Sequence, residues 1–122
     1  MTAHVPPGWP QGVPPAGAPG WERRATGWLL DLCPPEYRGY PVVVRHPVLL
    51  VRLAARQVAA QAQGTDAALA TVRADLADVL LGPVVAEAVQ VLEAERERLA
   101  GVLRAVELVE FALRGGTFVP RL

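Results

Sequence analysis

From Trp21 onward, apolar side chains recur every three or four residues, the spacing of helices that each bury one face. In "GWERRATGWLLDLC", Trp21, Ala25, Trp28, Leu29 and Leu32 share such a face. Glu22 suits the positive end of this helix, and Pro34 and Pro35 stop it near Leu32, because a residue before proline is pushed out of the helical region. Gly39 offers a left-handed position and Val42–Val44 a short extended segment. Pro47 reads as a first helical residue, where its missing N–H is harmless, with His46 as a cap. The second helix then carries Leu49, Leu50, Leu53, Ala54 and Val58 and ends on Gly64 as a left-handed cap.

Thr65 or Asp66 caps a third helix with Leu69, Val72, Leu76, Val79 and Leu80 on its apolar side. Gly82 and Pro83 open a fourth, which runs from Val84 to Arg114, about 31 residues and about 46 Å at 1.5 Å per residue. Gly115 and Gly116 finish it, leaving "TFVPRL" as an extended tail whose Phe118 folds back. Residues 1–20 hold six prolines and four glycines, which predicts a disordered or polyproline-like arm. "VPPGWPQGVPP" within it has the composition of a segment that docks in a partner's groove. The expected architecture is all-α, a small bundle of about four helices with one long C-terminal helix. Residues 1–20 form the Pro/Gly-rich arm and 21–122 a single helical domain.

The long helix repeats Val85, Leu92, Leu99, Val106 and Leu113 every seven residues, with Val89 and Leu103 interleaved, the pattern of a supercoiling pair. Arg96 and Glu110 fall on the interleaved set and disfavour a parallel two-stranded coil, because a buried unpaired ion is costly. Helices two and three, each about 24 Å long, are too short to cover this face. It is therefore the expected surface of an antiparallel homodimer: Val85, Val89, Leu92, Leu99, Leu103, Val106 and Leu113. "EAERER" reads as a solvated run, with Glu93–Arg96 and Glu95–Arg98, and later Glu110–Arg114, at the spacing of helical ion pairs.

Composition narrows the function classes. Twelve Arg balance twelve Asp plus Glu, and the chain lacks Lys, Ile, Asn and Ser. Codon bias of a high-GC genome accounts for the missing Lys, Ile and Asn. The sequence from Trp21 to Gln63 has six Arg against three acids, and that from Gly64 to Arg114 five against nine, about +3 and −4. A neutral chain without a glycine-rich phosphate loop is not expected to bind nucleic acid or nucleotides. No signal peptide or membrane span is expected, and a single cysteine forms no internal disulfide, so a cytoplasmic location is expected.

Unusual side chains concentrate in "DLCPPEYRGYPVVVRHPVLL", which holds the only cysteine, both tyrosines and one of two histidines. One reading is a stiff connector whose tyrosines and prolines plug the end of the bundle. The other is a pocket of Cys33, Tyr37, Arg38, Tyr40, Arg45 and His46, either for a small anionic ligand or for Cys33–His46 catalysis with Asp31 or Glu36 as orienter. A Cys-Pro thiolate for haem iron is a weaker form of the second, and a di-metal bundle lacks the histidines it needs after His46. No catalytic set, metal site or cofactor is expected.

"WLLDLCPPEYRGYPVVVRHPVLL" and "ALRGGTFVPRL", under a third of the chain, resemble small helical proteins of high-GC actinobacteria with no assigned activity. The resemblance implies a helical fold and transfers no site. The expected function is that of a non-enzymatic interaction or regulatory protein that binds a protein partner or itself.

Overall fold

Four α-helices and one 3-10 turn make up the described part of the chain, residues 4–120, in a computed structural model. In order these are α1 (Trp21–Asp31), the 3-10 turn (Pro35–Gly39), α2 (Pro41–Arg45), α3 (Pro47–Leu76) and α4 (Gly82–Leu113), with no strand among the described residues. The expected arm and tail also include residues 1–3 and 121–122, which lie outside the described residues. Prolines set most boundaries: as expected, α1 stops ahead of Pro34–Pro35 and Pro47 and Pro83 stand in the first turn of a helix, whereas Pro41, expected to block a helix, opens α2.

Two local expectations fail nearby. Val42–Val44 are helical, because Pro41 preorganises the first turn and the Tyr40 carbonyl accepts from the Val43 and Val44 N–H groups. His46 stands at the N-cap position of α3, but its side chain makes no cap hydrogen bond.

The largest correction concerns Gly64. It does not turn the chain: α3 runs through it for 30 residues, and Gly64 is not among the glycines with positive φ. The Thr65 hydroxyl does not cap a new helix but donates back to the Gln61 carbonyl one turn earlier (2.9 Å). A seven-residue register explains the continuity. Val51, Val58, Thr65 and Val72, interleaved with Ala55, Ala62, Leu69 and Leu76, are buried or half-buried without a break across the glycine. Packing along one seam outweighs about 1 kcal/mol of unfavourable helix propensity at a single glycine. Gly64→Ala should therefore raise the unfolding free energy by about 0.5–1 kcal/mol, because nothing stands within 4 Å of an added Cβ. A left-handed Gly64 would give destabilisation instead, and urea unfolding separates the two.

α3 and α4, about 45 and 48 Å long, are joined by residues 77–81 and pack on each other as an antiparallel hairpin. Arg52 on α3 reaches Glu110 on α4 (3.4 Å), which brings Gly64 level with about Arg98. Glu110 also pairs with Arg114, and Glu95 with Arg98, whereas Glu93 and Arg96 form no pair. The long helix was expected to exceed its neighbours; instead its partner is of nearly equal length.

The main core fills the base of this hairpin. Leu29 of α1, Leu50, Val51 and Val58 of α3, and Leu99, Val106 and Val109 of α4 are its largest fully buried side chains. α4 ends in a capping motif: the Gly115 N–H donates to the Ala112 carbonyl and the Gly116 N–H to the Phe111 carbonyl. The tail then turns back as expected, and the Phe118 ring stands 5.2 Å from Phe111 and 5.7 Å from Trp9.

Residues 4–20 are not a free arm. Trp9 and Val13 are buried in the core, and the Trp9 indole N–H donates to the Val13 carbonyl (3.0 Å). Four turns build the segment, at Pro6–Trp9, Pro10–Val13, Pro15–Ala18 and Ala18–Trp21, each closed by a hydrogen bond to its first carbonyl. Each carries a positive-φ glycine at its third position, the requirement of a type II turn.

Candidate functional site

The connector residues make separate contacts. Cys33 is half-buried against the core, and burial pushes its thiol above the ordinary value of 9.0. The Tyr37 hydroxyl accepts from Gln57 Nε2 of α3 (3.3 Å), and its ring stands 5.9 Å from that of the exposed Tyr40. Arg38 turns back to pair with Asp31, while Arg45 and His46 are exposed. Gly39 is not left-handed. The arrangement ties the 3-10 turn to α1 on one side and α3 on the other. Alkylation of Cys33 at neutral pH should accordingly be slower than that of free cysteine, read by timed thiol labelling. The unfolded thiol ionises first, so this contribution to stability is complete below pH 9.0 and is lost as pH rises past it.

The face expected to join two copies is largely used within one chain. Val85, Val89, Leu99 and Val106 are buried, and Leu92, Leu103 and Leu113 are half-buried, along the side where α4 meets α3. Of the two charges on the expected interleaved set, Arg96 is exposed, and Glu110 lies half-buried between α3 and α4, where it pairs with Arg52 and Arg114.

A different apolar surface is open, at the outer half of the hairpin. Beyond Val58 no side chain of α3 is buried, and ahead of Leu99 α4 buries only Val85 and Val89. Near the base, α1 packs on both long helices. Farther out α4 has only α3 as neighbour, yet its apolar face stays as wide, with Val84 45% and Val91 62% exposed. Val79 and Leu81, in the connection between the helices, are 68% and 76% exposed. Val84, Ala88 and Val91 make a stripe with helical spacing and line, with Glu87 and Leu92, a shallow cleft of about 420 Å³.

Folding the hairpin also polarises charge along its axis. Residues 66–98 form the outer half and hold seven carboxylates against three arginines, a net charge of −4. The base, residues 4–65 and 99–120, holds eight arginines against five carboxylates, a net charge of +3. Sequence reading found the two opposed segments but divided them along the chain, because only the antiparallel fold returns residues 99–114 to the basic end.

Among the described residues no group of three or more His, Cys, Asp or Glu is placed to hold a metal ion, and no helix is long and apolar enough to cross a membrane. Comparison of the chain with protein-family models, with curated proteins and with solved structures gives no match.

Proposed function

We propose that this is a non-enzymatic helical interaction protein of the cytoplasm, which binds a protein partner through the outer half of the α3–α4 hairpin. One observation carries the reading: α4 keeps a broad apolar face beyond the reach of α1, on which Val84 and Val91 stay 45% and 62% exposed. Contiguous exposed apolar surface of this kind marks binding sites more often than it marks bare surface. The base supplies a fixed platform, and the hairpin presents the stripe on a rigid element.

A photo-crosslinking amino acid at Val91, in the native cell, should give discrete adducts that the same group at exposed Arg23 on α1 does not give. Equal labelling at both positions, or none at Val91, would contradict the reading. A homodimer is the second reading, because the open stripe offers a surface to another copy that the buried seam does not. An adduct of doubled mass at Val91 identifies it.

A further inference from the structure

We infer that the occupant of the Val84–Ala88–Val91 stripe is a basic amphipathic helix of another protein, a deepening that rests on the reading of the hairpin as a binding surface. The shape of the missing piece follows from α4 itself. At the base, α4 packs against both α3 and α1; in the outer half the place corresponding to α1 is empty while the apolar face persists. A helix with apolar residues at i, i+3 or i+4, and i+7 matches a stripe with spacings of four and three residues.

Charge chooses between a foreign helix and a second copy. Glu87 lines the cleft beside the stripe; Glu95, one turn farther, is paired with Arg98 and adds no net charge. Around them the outer half carries its net charge of −4. Two such hairpins laid side by side bring like charge together, which costs several kcal/mol across an interface. Arg or Lys flanking the apolar residues of a foreign helix would instead meet Glu87 and the surrounding carboxylates. Those contacts would fix orientation and speed association, while the apolar stripe supplies affinity.

The test uses the full chain and two synthetic helical peptides of about 20 residues, long enough to span the outer hairpin, with identical leucine stripes and flanks of either Arg or Glu. Isothermal titration should show the Arg peptide binding at least about a hundredfold more tightly than the Glu peptide. Val91→Asp separates seating from bulk attraction. It adds a carboxylate, so attraction by charge alone would tighten the Arg peptide, whereas burial on the stripe predicts weakening of about tenfold or more. Because Val91 is 62% exposed, the variant should keep the wild-type fold, checked by circular dichroism. Glu87→Gln should weaken the Arg peptide severalfold and flatten its salt dependence.

Equal binding of both peptides would overturn the inference about charge and leave the hairpin as a binding surface. Tighter binding of the Arg peptide to Val91→Asp would overturn the docking site. Failure of both peptides, with a dimer in light scattering that Val91→Asp dissolves, would assign the stripe to a second copy. Failure of both with a monomer would also overturn the inference, while crosslinking at Val91 reports on the hairpin independently.

Discussion

Trp9→Ala is expected to lower the unfolding free energy by about 3–5 kcal/mol, the range for truncating a buried large aromatic. The indole is 9% exposed and its ring stands 6.2 Å from Trp21 and 5.7 Å from Phe118, so one side chain joins the N-terminal turns, α1 and the C-terminal tail. Its N–H holds the Val13 carbonyl, and Arg24 of α1 reaches the Gly12 carbonyl (3.2 Å), closing the turns onto the helix. Once Trp9 is gone the segment can detach, and the entropy it regains limits the loss to the net free energy of docking. Urea unfolding followed by far-UV circular dichroism measures the change. A difference within about 0.5 kcal/mol, as at an ordinary surface site, would mean that the segment contributes nothing and behaves as a free arm.

Leu99→Ala is expected to cost about 2–5 kcal/mol in the isolated chain. Leu99 is 2% exposed and sits where α4 passes from the core into the outer hairpin, so truncation leaves a void that both long helices border. Leu99→Asp goes further and unfolds the chain, because it places a charge where no charged or polar residue among those described is buried. A Leu99 surface belonging to a dimer would behave differently: Leu99→Asp would then yield a folded monomer. Chemical denaturation together with light scattering distinguishes an unfolded chain from a dissociated one.

What the sequence made legible was mostly local. Pro34–Pro35 ended α1, Pro47 and Pro83 opened α3 and α4, the double glycine closed α4, and Phe118 turned back, because each depends on a few neighbouring backbone groups. The errors lay where a longer-range term competed with a local one. Gly64 followed by Thr65 and Asp66 is a strong local stop signal, but it loses to a seam that runs unbroken from Val51 to Leu76 against α4. That seam was present as a seven-residue repeat on both sides of the glycine.

The N-terminal segment was misread for a related reason. Proline density argued for an extended chain, whereas the repeated placement of Gly one residue before Trp9, Val13, Ala18 and Trp21 encoded a series of turns that carries two apolar anchors into the core. For the candidate site, the apolar breadth of α4 was visible, but which part of it stays open was not. That depended on the length of α3, and treating α3 as two short helices exposed the wrong end of α4. Among the connector residues, Arg38 pairs with Asp31 of α1 and Tyr37 accepts from Gln57 of α3, contacts that the sequence alone did not show.

The outer hairpin extends beyond α1 with its stripe open only if α3 is one helix. Spin labels at Arg56→Cys and Asp75→Cys, in a Cys33→Ala background, measure this directly, because both sites are exposed and lie on either side of Gly64. A continuous helix places their backbones about 28 Å apart at 1.5 Å per residue, and double electron–electron resonance should return one distribution near that value, broadened by the label arms. Two antiparallel helices joined at Gly64 would bring the sites to about 10–15 Å, given interaxial distances of about 8–10 Å, and a distribution confined to that range would contradict the account.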